Sequence, residues 1–266
     1  MFAKGIGDDA FVAGDYLISA DMSVEETHFI IENGQPASVK NAVEKCLLAN
    51  FSDINAMGGI SKAILFSVCI NKNWNKKIRT EIANSVAEIC KKHKVKIIGG
   101  DTTGGTLGVF SITVFGKKEG RVLLRSAAKT GDDIWVSGTL GLSAASNYSR
   151  VPNPPLKLGA KLSKIKGIGA CIDLSDSLSD CLNILSLQSK ARMVLEEKLI
   201  EVKNEFWLNG GEDYELLFTA RKSARTALEK IPNINRIGEV KKGAGCILIT
   251  KNGKEKIIKP SGWRHF

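Results

Sequence analysis

The sequence predicts a mixed α/β protein built as two halves, α/β to α+β in class. Strand-like and helix-like patterns alternate along its 266 residues. Composition and pattern change near RSAAKTGDD (125–133), which puts a boundary near residue 122 and gives halves of 1–122 and 123–266. Acidic residues recur where predicted strands end and beside glycines, the places where α/β folds hold ligands.

Each element has a local reason. LISAD (17–21) alternates as a strand and ends in an acid. SVKNAVEKCLLANFSDINAMGG (38–59) reads as a helix: Val39, Val43, Leu47, Phe51 and Ile54 form an apolar stripe, and Gly58 and Gly59 stop it. KAILFSVCI (62–70) is a strand. NKKIRTEIANSVAEICKKHK (75–94) is an amphipathic helix with Ile78, Ile82, Val86 and Ile89 on one face. VKIIGGD (95–101) runs as a strand into a glycine turn, and LGVFSITVFGK (107–117) is another strand. In the second half DIWVSG opens a strand, a short helix falls near 141–149, and VPNPP is a connector. ACIDLS (170–175) predicts a strand, DSLSDCLNILSLQS (176–189) a helix, EDYELLFTA (212–220) a strand, KSARTALEKI (222–231) a helix and CILIT (246–250) a strand.

Composition narrows the function class. Hydrophobic residues make up 43% and charged residues 25%, an ordinary globular balance. No apolar run approaches the ~20 residues of a membrane span, and the start carries no secretory pattern, so a cytoplasmic protein without a membrane partner is expected. The cysteines at 46, 69, 90, 171, 181 and 246 form no Cys-x-x-Cys pair, and several sit in apolar stretches. They read as buried hydrophobes of a reducing compartment. The net charge is +10, with clusters in NKNWNKKIR (71–79), KKHKVK (91–96) and KNGKEKIIK (251–259). Aromatics hardly interleave with these clusters and no nucleic-acid-binding signature appears, so they read as a lysine-rich surface whose field attracts anionic substrates.

Against that positive charge the acids stand out. Asp8 and Asp9 adjoin in KGIGDDAF. Two carboxylates about 4 Å apart repel by roughly 4 kcal/mol at an effective dielectric of ~20, so burial of such a pair calls for a cation. Asp21 ends a strand. Asp53 sits mid-helix, where aspartate is a poor helix former, with Asn50 one turn earlier on the same face. Asp101 follows Gly99 and Gly100, Asp173 and Asp176 flank Ser175, and Glu212 and Asp213 follow Gly210 and Gly211. Singly, each has an ordinary reading as a turn or cap; Asp176 alone could cap the helix after it. Jointly they point to an oxygen-only metal site. That donor set favours Mg²⁺, Ca²⁺ or Mn²⁺ over zinc, since His28, His93 and His265 are scattered. Mg²⁺ takes a few carboxylates plus substrate phosphates, and glycine turns let backbone N–H groups approach phosphate. Neither a P-loop nor the protein-kinase motif set is present.

GIGDDA, the strand ending in Asp21, NFSDINAMGG, IIGGDTTGG, LLRSAAKTGDDIWVSGTLG, CIDLSDSLSD, GGEDYELLF and GWRHF occur in the order seen in bacterial thiamine-monophosphate kinase. The resemblance spans nearly the whole chain and extends to the aminoimidazole ribonucleotide synthetase superfamily. It implies an N-terminal half that dimerises through a β-barrel, a C-terminal α/β sandwich half, and a homodimer using ATP with several Mg²⁺ ions. It implies metal binding by Asp9, Ser19, Asp21, Asp53, Asp101, Asp173 and Asp176, with Asp9, Asp21, Asp53, Asp101 and Asp173 serving catalysis. Gly100, Asp101, Arg125 and Ser175 would hold ATP. His28, Glu212 and Trp263 would contact thiamine monophosphate, Glu212 offsetting the thiamine cation and Trp263 stacking on a ring. The implied reaction transfers a phosphoryl group from MgATP to thiamine monophosphate.

The chain departs from the family in three places. It begins almost at GIGDD, where the family has a preceding helical segment. Ser177 stands where glycine is common, and the stretch between SGTLG and ACIDL is short. Sister activities fit less well. A selenophosphate synthetase would carry a reactive cysteine near its start, and none precedes Cys46. The hydrogenase-maturation relative ends in a cysteine, and this chain ends WRHF. Aminoimidazole ribonucleotide synthetase is opposed by GGEDYELLF and GWRHF. A basic nucleic-acid-binding protein whose acids are only caps and turns is the alternative of a different class; it would bind salt-sensitively and turn over no ATP.

Overall fold

The computed structural model describes residues 7–31 and 36–262. These divide into two compact units: 10–31, 36–54 and 60–117 in the first, and 7–9, 55–59 and 118–262 in the second.

The first unit holds β1 (Phe11–Ala13), β2 (Tyr16–Val24), α1 (Pro36–Ala56), β3 (Gly59–Asn71), α2 (Lys76–His93), β4 (Lys96–Gly99), β5 (Thr102–Gly105) and β6 (Val109–Lys118). Its sheet runs β1-β2-β6-β3-β4, with β5 also paired to β3. β2 and β6 are antiparallel over nine residue pairs; β4 and β5 both run parallel to β3. Among the described residues the sheet is open within one chain and does not close into the barrel implied by the resemblance; β4 is an edge strand with all four residues exposed.

Helix packing follows the predicted stripes. Val39, Val43, Leu47, Phe51 and Ile54 of α1 are buried, as are Ile78, Ile82, Val86 and Ile89 of α2. β6 alternates as a half-buried strand should, with Phe110, Ile112 and Val114 inward. Gly116 continues that face because a Cβ there would meet Ile54 of α1 at 2.2 Å. α2 starts on Asn75, whose side chain accepts from the Ile78 N–H, and ends on left-handed Lys94. The predicted turn after β4 is a break in one ladder: β4 and β5 pair successively along β3, Leu65 with Gly99 and Val68 with Thr102. Between them Gly100 has φ +150° and a Cβ there would lie 1.8 Å from the Phe66 carbonyl oxygen, so only glycine fits.

The second unit is a seven-stranded sheet in the order β13-β12-β9-β11-β7-β10-β8. Its strands are β7 (Asp133–Ser137), β8 (Ile168–Asp173), β9 (Arg192–Glu196), β10 (Leu216–Ala220), β11 (Ile234–Lys241), β12 (Cys246–Ile249) and β13 (Glu255–Ile257). Its helices are α3 (Leu142–Ala145), α4 (Leu158–Leu162), α5 (Leu178–Ser189) and α6 (Arg225–Leu228). One sheet face packs Ile134, Val136 and Leu217 with Leu178, Cys181, Leu182 and Leu185 of α5. The other packs Trp135, Leu216 and Phe218 with Leu158 and Leu162 of α4 and Leu228 of α6. This is the expected α/β sandwich, with both faces covered.

Two expectations shorten. EDYELLFTA is a strand only from Leu216, because Glu212 (φ +58°) and Tyr214 (φ +52°) take left-handed conformations that no strand accommodates. KSARTALEKI forms a 3₁₀ turn over Lys222–Ala224 and four residues of α-helix instead of one continuous helix.

Candidate active site

In the second unit the paired acids, Arg125 and the end of β8 come together. Asp9 is buried, and its Oδ1 accepts from the Arg125 guanidinium at 2.6 Å. The neighbouring Asp8 Oδ1 accepts from the Arg125 backbone N–H at 2.7 Å. Both acids of the doublet therefore hold one arginine, by its side chain and its main chain. Helix α5 pins this arrangement: Gln188 donates to the Gly7 carbonyl at 2.7 Å, and Ser189 Oγ donates to the Arg125 carbonyl at 3.0 Å.

Asp173 ends β8 and is 1% exposed. Carboxylate oxygens of Asp9 and Asp173 lie within 4.8 Å of each other. Burial pushes the Asp9 carboxyl up even though Arg125 opposes it by charge and hydrogen bond. Burial also lowers Arg125, but the charge and hydrogen bond of Asp9 outweigh it, and the guanidinium stays protonated. Asp9 Oδ2 is buried and finds no hydrogen-bonding partner among the described residues. One arginine thus faces two buried carboxylates. An oxygen-only pair with an unsatisfied buried oxygen fits a hard divalent cation such as Mg²⁺.

After Asp173 the chain turns through Ser175 and Asp176 into α5, which Ser177 caps by accepting from the Asp180 N–H at 3.1 Å. The loop bearing Glu212 docks on that turn: its N–H donates to the Ser175 carbonyl at 2.8 Å, and the Tyr214 N–H to Leu174 at 2.9 Å. Asp213 clamps the same loop from its other side. Its carboxylate accepts from the N–H groups of Gly141 and Ser143, at 2.5 and 3.1 Å, while Ser143 Oγ donates to the Glu212 carbonyl at 2.7 Å. Burial raises the Asp213 carboxyl, and those backbone donors pull it back.

In the first unit Ser19 Oγ donates to Asp53 Oδ2, joining the β2 and α1 positions. The Asp21 N–H donates to Asn50 Oδ1 at 3.2 Å, and Asn50 is fixed by donating to the Cys46 carbonyl at 2.9 Å. Asn50 and Asp53, one turn apart on α1, thereby address the same stretch of β2. Asp21 itself is exposed. Asp101 stands in the break between β4 and β5, where its carboxylate accepts from the Thr102 N–H at 2.8 Å and its carbonyl accepts from the Val68 N–H at 2.9 Å. His28 is exposed after β2, and its Nδ1 accepts from the Val24 N–H at 3.1 Å. Trp263 lies outside the described residues.

The sequence reading did not single out a cavity of about 390 Å³ in the first unit, lined by Lys72, Trp74, Arg79, Thr102 and Thr103 among others. Lys72 and Arg79 give its wall positive charge, while Trp74 is buried and donates its indole N–H to Glu25 at 3.1 Å. Its signal in the sequence was the NKNWNKKIR run, read there only as surface charge.

Residues 7–117 match the family described as AIR synthase related protein, N-terminal domain. Over 99% of its length the chain is 31% identical to the thiamine-monophosphate kinase of Buchnera aphidicola subsp. Schizaphis graminum, covering 92% of that protein. It is 31% identical to the thiamine-monophosphate kinase of Pyrococcus horikoshii over 98% of this chain and 90% of that one. The solved structure of AaThiL complexed with AMPPCP and TMP is similar with a TM-score of 0.81 at 26% identity, covering 99% of this chain and 93% of that chain.

Proposed function

The chain belongs to the thiamine-monophosphate kinase family, and on that premise we propose that it is the ATP-dependent enzyme converting thiamine monophosphate to thiamine diphosphate. A phosphate oxygen of thiamine monophosphate attacks the γ-phosphorus of ATP; the new P–O bond forms as the bond to the β-phosphate oxygen breaks, and ADP leaves with that oxygen. With a second pKa near ~6, the acceptor phosphate is already ionised at neutral pH, so no side chain has to remove a proton. The enzyme's work is to hold two anions together and in line.

The residues divide that work. Asp9, Asp173 and Asp176 in one unit, and Ser19, Asp21, Asp53 and Asp101 in the other, supply oxygen ligands for Mg²⁺. When bound, Mg²⁺ neutralises the phosphates and orients them. Arg125, oriented by Asp8 and Asp9, adds a fixed positive charge toward the ATP phosphates, and Ser175 and Gly100 offer polar backbone or hydroxyl groups to ATP. Glu212, held by Ser175 and the Asp213 clamp, offsets the thiamine cation, with His28 and Trp263 as further acceptor contacts. In this assignment both halves, 1–122 and 123–266, contribute groups to ATP and metal. The observation that carries the Mg²⁺ requirement is the buried Asp9 beside Asp173, with Asp9 Oδ2 unsatisfied among the described residues.

A homodimer completes the reading. Its support is the open edge at β4, where Ile97 and Ile98 are 48% and 57% exposed. No helix among the described residues is long and apolar enough to cross a membrane, and all six cysteines are free, which fits a cytoplasmic setting.

The test is ADP release from MgATP with and without thiamine monophosphate, with thiamine diphosphate followed by chromatography. ADP and thiamine diphosphate formed in equal amounts, only when both substrates and Mg²⁺ are present, are expected. Mg²⁺-dependent ATP binding without product would reject this acceptor.

A further inference from the structure

We propose that Asp180 is a positioning residue that seats the carboxy-terminal segment on the first turn of α5, and so sets affinity for the thiamine-bearing acceptor. The affinity part rests on the assignment of Trp263 to that acceptor.

The seating is built from four contacts. Ile258 is buried in the core beside α5, and its carbonyl accepts from Asn183 of α5 at 3.2 Å. Ser261 Oγ donates to Asn209 Oδ1 at 2.6 Å and lies 3.1 Å from Ser179 Oγ. The Gly262 N–H donates to Asp180 Oδ2 at 2.7 Å. Asp180 is itself 5% exposed, and Ser177 Oγ donates to the same carboxylate oxygen.

That geometry goes beyond capping a helix. Capping needs only Ser177 Oγ and the Asp180 N–H; the Asp180 carboxylate reaches out of the helix to a main-chain N–H 82 residues away. Bonds from N–H groups to an ionised carboxylate are among the stronger neutral-to-charged contacts. The fit also dictates a residue type on the other side: a Cβ at Gly262 would lie 2.2 Å from Asp180 Oδ2 and 3.1 Å from Ser177 Oγ. Ser177 joins this contact by donating to Asp180. The turn that carries Ser175 and Asp176 leads directly into the same helix end, so phosphate-side and acceptor-side groups share one reference point. Trp263 is the next residue along the chain.

The experiment uses the full chain, Asp180→Ala, Asp180→Asn, Gly262→Ala, and a chain ending at Gly262 with and without Asp180→Ala. The readouts are the KM for each substrate and hydrogen exchange at the Gly262 amide. Asp180→Ala is expected to raise the KM for thiamine monophosphate about tenfold, with the KM for ATP changed less than about twofold. Gly262→Ala is expected to do the same from the other side of the contact, and Asp180→Asn, which keeps an acceptor oxygen, to retain most of the affinity. The Gly262 amide should exchange faster in Asp180→Ala. In the chain ending at Gly262, which should itself bind the acceptor weakly, Asp180→Ala should add less than about twofold. Independent, multiplying effects of truncation and Asp180→Ala overturn the affinity claim, as does an equal rise in the KM for ATP. Unchanged exchange at Gly262 overturns the seating. A truncated chain with the full chain's KM rejects the Trp263 assignment and the affinity claim with it, while exchange at Gly262 still judges the seating. If Asp180→Ala does not fold, Gly262→Ala and Asp180→Asn decide the question.

Discussion

Asp53 and Glu215 are carboxylates with opposite duties. Asp53 sits mid-helix, where its type is unfavourable, and it takes a hydroxyl bond from Ser19. Asp53→Asn keeps the shape and the Ser19 contact but removes the charge. Turnover is expected to fall about 100-fold or more while the melting temperature holds within a few degrees; near-normal turnover would remove Asp53 from the metal set. Glu215, in the second unit, is half-buried three residues after Glu212 in the same glycine–acid motif. Burial raises its carboxyl to about 7, and the Ser137 hydroxyl bond opposes that only in part. A carboxyl whose folded-state pKa lies above its unfolded value is held protonated by the fold, so its contribution to stability is present at low pH. That contribution is lost as pH rises from the usual glutamate range through about 7. The loss amounts to about 3 kcal/mol at most. Chemical denaturation of the chain and of Glu215→Gln across pH 5 to 8 checks it: the variant should lack that downward slope, and parallel profiles would refute it.

Elements show where the sequence was legible and where it was not. α1 and α2 were readable because their stripes repeat for several turns and each face is buried within its own unit. β6 was readable because its alternation is strict. The stretch EDYE reads as the start of the strand it leads into, yet Glu212 and Tyr214 turn left-handed because their N–H groups are drawn to Ser175 and Leu174, partners that local pattern cannot anticipate. Strands β9, β11 and β13 were missed for a similar reason: they are defined by sheet neighbours more than by their own periodicity. The Asp213 clamp belongs to this scale. Asp213→Ala would strand the N–H groups at Gly141 and Ser143 and free the Glu212 loop. A cost of about 1–2 kcal/mol in stability is expected, together with a raised KM for thiamine monophosphate. Asp213→Asn should recover part of both. A loss of stability alone, with KM intact, would make the clamp purely structural.

At the scale of the whole molecule the acids were legible as a set, because glycine turns and strand ends recur with carboxylates along the chain. Their partners were not. Arg125 meets Asp9 across 116 residues of sequence, and Arg225 meets Asp133 across 92, each pairing made by the sheet and not by any local motif. The same holds for β4. Lys96–Gly99 reads as an ordinary strand in sequence, and only the sheet order reveals that it is an open edge with two exposed isoleucines. Exposed apolar edges are a liability that proteins cover, and a second copy of this chain is the cover proposed here. Charged side chains on that edge would have to be desolvated in such an interface, so the double substitution Ile97→Lys, Ile98→Lys should convert a dimer to a monomer in sedimentation experiments at micromolar concentration. Both isoleucines are surface residues within one chain, so the monomer should keep its far-UV circular dichroism. A dimer that survives both lysines would place the interface elsewhere, and an unsubstituted chain that sediments as a monomer would leave the β4 edge without its proposed partner.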